Sequence, residues 1–96
     1  MITQQQEKLI IKYLQQIKPQ KIGVFGSFAR GENNIQSDLD ILVYLDWNNK
    51  VSLLDIIGAE QELSEILGVK VDLVTERSLN PLVRPYVEKD LKIIFE

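Results

Sequence analysis

The stretch Gly26–Val43 reads GSFARGENNIQSDLDILV, and a short apolar run, KIGVF at 21–25, leads into it. Ten residues separate Ser27 from Asp38, and Asp38 and Asp40 bracket a single leucine. Successive side chains of a strand point to opposite faces. A strand over Asp38–Leu45 therefore sets Asp38 and Asp40 on one face and Leu39, Ile41 and Val43 on the other. Two carboxylates so close repel unless a cation, a proton or a basic group lies between them. A hard divalent cation suits the pair, and Mg2+ commonly takes one or two carboxylates together with substrate phosphates. Gly26 allows backbone to approach a phosphate closely, the amides of a following helix favour negative charge, and Ser27 adds a hydroxyl donor. The unit reads as a phosphate cradle facing a metal site.

The flanking sequence supplies a scaffold for it. Thr3 and Gln6 have the spacing of a capping box. They stand ahead of an apolar face of Leu9, Ile10, Tyr13, Leu14 and Ile17 at helical spacing, and Pro19 stops that helix. Lys21–Phe25 is a buried first strand and Asp38–Leu45 a second. Between them Phe28–Arg30 starts a short helix, Gly31 meets a turn requirement, and Ser37 caps the loop. Ser52 and Asp55 cap a further helix with Leu53, Ile56, Ile57, Leu63, Ile66 and Leu67 as its buried stripe and Gly68 as its stop. Val69–Val74 is a third strand, in which Asp72 faces away from Val71 and Leu73. Left unpaired and partly buried, such a carboxylate costs several kcal/mol; it is either solvated on an open face or, with Asp38 and Asp40, the third carboxylate of the metal site. Leu82, Val83, Tyr86 and Val87 keep helical spacing interrupted by Pro85, and Lys92–Phe95 is a short edge strand. The order is α-β-turn-β-α-β-α-β, an α/β (α+β) fold with a small mixed sheet covered by helices.

Composition limits the chemistry. Ninety-six residues are expected to form one domain, 1–96, with one modest core. No apolar run is long enough for a membrane span, and MITQQQEK lacks the features of a secretory signal. The absence of cysteine excludes thiolate metal sites and fits a cytoplasmic protein. The absence of histidine leaves carboxylates, hydroxyls, basic groups and metal to carry any catalysis. A net charge of −3 argues against a broad nucleic-acid footprint. Two side chains keep two readings. Arg30 either contacts phosphate or pairs with Glu32 or another carboxylate, and Trp47 either packs at an edge or meets a partner.

GSFARG at 26–31, SDLDILV at 37–43, VDLVT at 71–75 and LNPLVRPYVEKD at 79–90 together resemble the minimal nucleotidyltransferases of the polymerase-beta-like superfamily. The resemblance is specifically to the MntA-type antitoxins encoded beside HEPN-domain toxins, and it covers essentially the whole chain. It implies that Asp38 and Asp40 hold Mg2+ and, through it, the triphosphate of ATP. By the same resemblance Asp72 helps hold a second metal ion and assists deprotonation of the acceptor hydroxyl. Ser27 with Gly26 grips the β- and γ-phosphates, and Arg30 is a further nucleotide-binding candidate. It further implies AMP transfer to a tyrosine of a cognate HEPN RNase toxin, with no direct nucleic acid or membrane partner, and a homodimer or hetero-oligomer with the toxin. The competing reading is a non-catalytic module that masks its partner sterically, with Trp47, Leu82, Tyr86 and Phe95 as candidate contacts.

Overall fold

The computed structural model describes residues 2–96. Thr3 and Gln6 start the first helix, α1 (Gln4–Leu14), as their spacing predicts. The Gln6 amide donates to Thr3 Oγ1 at 3.1 Å and the Thr3 amide to Gln6 Oε1 at 2.9 Å. A 3-10 turn, Gln15–Ile17, and the left-handed Lys18 (φ 51°) end it. Pro19 does more than stop the helix: it is the first residue of β1 (Pro19–Phe25), where a missing N–H is tolerated.

The chain continues through α2 (Ser27–Arg30), β2 (Leu39–Leu45), α3 (Leu53–Leu67), β3 (Val71–Thr75), a 3-10 turn (Glu76–Ser78), α4 (Arg84–Asp90) and β4 (Lys92–Phe95). This is the order read from the sequence, with the second strand starting one residue later and the third two. The strands lie in the order β3-β2-β1-β4. β1 runs antiparallel to β2 and to β4, while β2 and β3 are parallel. The sheet is therefore mixed, and α3 is the crossover that a parallel pair requires.

Alternation sorts the side chains onto two faces. Ile22, Val24, Leu39, Ile41, Val43, Val71 and Leu73 meet Ile10, Leu14 and Ile17 from the N-terminal helical segment and Ile56, Ala59 and Leu63 from α3. Fully burying an aliphatic side chain stabilises by about 1.5–3 kcal/mol, so this face carries most of the apolar stabilisation. The other face has a smaller cluster, Leu42, Leu79 and Val87, with Phe25, Tyr44, Val74 and Leu91 packed against it. Asp40 and Asp72 alternate onto that second face, which the helices cover less completely.

Two sequence expectations are corrected. Ser52 and Asp55 do form a capping box and Gly68 (φ 67°) does end α3. Leu53, Ile57 and Ile66, however, are exposed, and Ala59 takes the central contact. A helix laid on a short sheet buries only the narrow stripe that touches it. Pro85 does not interrupt α4; it sits in the first turn, where no intrahelical hydrogen bond is lost.

β3 is an outer strand, yet its outward amides are not free. Val71 N–H donates to Ser64 Oγ at 3.0 Å and Leu73 N–H to Glu60 Oε2 at 2.7 Å, so α3 caps the strand it precedes. Among the described residues no helix is long and apolar enough to cross a membrane.

Candidate active site

The register of the sheet assembles the site. Phe25, the last residue of β1, lies opposite Asp40 of β2, and Asp40 lies opposite Asp72 of β3. The chain then turns back over Asp40 at Gly26, with φ 75° and ψ −154°. That backbone region is essentially restricted to glycine. The approach is also too close for a side chain, because a Cβ on Gly26 would stand 2.3 Å from Asp40 Oδ2. Ser27 opens the single turn of α2, Phe28 is buried beneath it, and Gly31 ends it in the left-handed region at φ 73°. Ser37 caps the following loop, accepting from the Asn34 amide at 2.9 Å.

Asp38 departs from expectation. It lies just before β2, and its Oδ2 is 3.9 Å from Lys70 Nζ. Among the described residues no three carboxylates are gathered closely enough to hold a cation. The negative charges nevertheless feel one another. Burial pushes the Asp40 carboxyl up to about 6, helped by the charges of Asp72 and Asp38, while the Arg30 guanidinium pulls it down. Uncompensated charge of this kind is what a cation relieves. The donors are hard oxygens, which suit Mg2+. The set fits such an ion if Asp38 turns from Lys70.

Arg30 is engaged by carboxylates. Its Nε donates to Glu32 Oε1 at 2.6 Å and its Nη1 to Asp90 Oδ2 at 2.5 Å. Trp47 is a packing residue: its indole N–H donates to Glu76 Oε1 at 2.8 Å, and Arg77 lies 4.6 Å above the ring. Of the four candidate contact residues, Leu82 and Tyr86 are exposed, whereas Trp47 and Phe95 pack against the larger core. Asp90 and Glu76 carried no local signal in the sequence, because each acts on residues about thirty or more positions away.

Residues 7–94 match the family model for a nucleotidyltransferase domain. The chain belongs to that family. It is 45% identical over 85 residues to a candidate protein adenylyltransferase of Methanocaldococcus jannaschii, covering 88% of this chain and 83% of the relative. A solved structure of a toxin–antitoxin with AMP-PNP matches with a TM-score of 0.81 at 31% identity, over 93% of this chain and 72% of that one. Another solved structure contains tri-AMPylated Shewanella oneidensis HEPN toxin in complex with MNT antitoxin. It matches with a TM-score of 0.76 at 28% identity, over 98% and 72% of the two chains. The resemblance carried by GSFARG and SDLDILV is thereby met, as is the reading of the chain as a nucleotidyltransferase.

The nucleotidyltransferase also contains a cavity of about 210 Å³, lined by Trp47, Val51, Leu53, Ile56, Leu73, Thr75 and Ser78. Leu73 and Thr75 alternate away from Asp72, so this mainly apolar cavity lies on the helix-covered face and away from the carboxylates.

The burial of Asp40, together with its crowding by Asp72 and Asp38, is expected to cost stability in the metal-free protein. A carboxyl whose folded pKa is raised from 3.8 to about 6 favours folding fully below about pH 4, and that advantage is lost as pH rises through about 6. Two pH units correspond to about 3 kcal/mol; screening at this half-exposed group reduces that to about 1 kcal/mol. Asp40→Asn should therefore raise Tm by roughly 4–8 °C at pH 7.5 in chelator and by almost nothing at pH 4. Thermal melts at the two pH values check this, and an equal gain at both would refute the electrostatic origin.

Proposed function

We propose that this nucleotidyltransferase is a Mg2+-dependent protein adenylyltransferase. It transfers AMP from ATP to a tyrosine hydroxyl of a HEPN-domain toxin and acts in the cytoplasm as that toxin's antitoxin. The observation that carries the reading is the juxtaposition of Gly26 with Asp40, and of Asp40 with Asp72. A side-chain-free turn meets paired carboxylates on the less covered face of the sheet. The similarity to a structure holding AMP-PNP and to one holding an AMPylated HEPN toxin supports the nucleotide and the acceptor.

In this mechanism Gly26 lets the triphosphate approach the backbone, and the Ser27 hydroxyl donates to a phosphate oxygen. Asp38 and Asp40 would hold Mg2+, with Asp72 completing a two-ion set. When bound, the metal neutralises the phosphates and stabilises the attacking and leaving oxygens of an in-line displacement. Asp72 lies on the exposed side of β3, where an incoming hydroxyl can reach it, and takes the acceptor's proton. The acceptor oxygen bonds to the α-phosphorus as the bond to the leaving pyrophosphate breaks. Arg30 keeps positive charge on the same side as Asp40.

A steric reading has one observation in its favour: Leu82, Val83 and Tyr86 leave apolar surface exposed around the start of α4. Co-expression with the cognate toxin, followed by intact mass, separates the two. Toxin heavier by whole AMP units, in a manner abolished by chelator in the purified reaction, is the expected result. An unmodified toxin in a stable, inactive complex would overturn catalysis as the route of neutralisation.

A further inference from the structure

The turn that carries Gly26 and Ser27 continues into a helix of only four residues, Ser27–Arg30. One helical turn does not hold itself, since nucleation fixes several dihedrals for a single hydrogen bond. Its near end is held by β1, its middle by the buried Phe28, and its far end by Arg30. Arg30 has two anchors of different kinds. Glu32 is two residues away on the same loop and 61% exposed; Asp90 is sixty residues away and only 21% exposed. Asp90 is also the last residue of α4, which Val87 fastens to Leu42 and Leu79 on the carboxylate face of the sheet. From Asp90 the chain passes into β4, which pairs with β1, the strand that delivers Gly26.

We propose that Asp90 is a positioning residue for nucleotide binding, tying Arg30, and with it the Gly26–Ser27 turn, to the end of α4. The inference rests on the nucleotidyl-transfer reading above. The pair uses Arg30 Nη1, and Glu32 takes Nε. The planar guanidinium carries five N–H donors, so Nη2 keeps its own for a phosphate oxygen. Asp90 thus fixes the direction of the guanidinium fork while leaving an edge of it for the ligand. Without Asp90, Arg30 keeps only an exposed local partner, and exposed pairs fix geometry weakly.

Calorimetric binding of AMP-PNP with Mg2+, alongside melting temperature, tests the assignment. Asp90→Asn should weaken binding about tenfold, as expected when a charge-assisted bond that orders a ligand group is lost. Asp90→Glu should recover most of that affinity. Glu88→Gln removes a charge from the same helix without touching Arg30, and should bind within about twofold of wild type. Arg30→Gln should cost less in the Asp90→Asn background than in wild type, because without Asp90 the guanidinium is already poorly held for the ligand. Wild-type affinity in folded Asp90→Asn overturns the inference, and so does an equal loss in Glu88→Gln, no recovery in Asp90→Glu, or additive losses in the double variant. Wild type that fails to bind AMP-PNP overturns the nucleotidyl-transfer reading itself, and this inference with it.

Discussion

On the proposed mechanism, Asp38→Asn combined with Asp40→Asn is expected to reduce AMP transfer by roughly a thousandfold or more, because that mechanism assigns both carboxylates to a metal worth several kcal/mol of transition-state stabilisation. The fold should survive. Asp40 adjoins the core without being part of it, and Asp38 is exposed with only a distant ion pair to Lys70. Replacing both carboxylates also removes the unfavourable burial of the Asp40 charge and its repulsion with Asp72 and Asp38. Expression beside the toxin gives the decisive comparison: wild type should restore growth and leave AMP on the toxin, and the double variant should do neither. Full rescue by the folded double variant, with no mass increment, would show that catalysis is dispensable.

Gly26→Ala should be the most damaging single methyl in the chain. Forcing a non-glycine residue to φ 75° and ψ −154° costs on the order of 1–3 kcal/mol. The new Cβ would also stand 2.3 Å from Asp40 Oδ2, well inside contact distance. Together these should destabilise by about 3 kcal/mol, a Tm drop of roughly 12–24 °C for a chain of this size. Transfer should fall as well, since relief requires Asp40 or the Gly26–Ser27 turn to move. In an Asp40→Ala background the same methyl should cost less, leaving mainly the backbone term. Thermal melts of the four-member cycle measure the coupling; strict additivity would show that the turn and Asp40 are not packed as described.

How legible these features were depended on how local their causes are. The capping boxes at Thr3 and Ser52, the left-handed stop at Gly68 and the alternation in LDILV follow from neighbouring residues, and all appear where the sequence places them. Asp40 and Asp72 could be proposed as partners from two separate strands, because a period of two assigns each a face. Their pairing in one register is a property of the sheet. What escaped was set by tertiary geometry. The width of the sheet left Leu53, Ile57 and Ile66 outside α3's buried stripe, and the second carboxylate that holds Arg30 lies sixty residues away. Asp38 illustrates the limit most plainly. Its spacing from Asp40 is that of a shared strand face, yet β2 begins one residue later and Asp38 lies exposed, 3.9 Å from Lys70 Nζ.

Glu60 and Ser64 have a consequence for how this molecule fails. An unpaired outer strand is a template onto which another chain can zip, and β3 is protected from that fate by two side chains borrowed from a helix. The safeguard is therefore only as durable as α3's seat on the sheet. Heating that lifts α3 uncovers, in the same event, the amides of Val71 and Leu73 and the apolar residues beneath the helix. In that opening the freed strand edge and the uncovered core are exposed together, and loss on heating by this route should take the form of strand-to-strand clumping of partly folded molecules.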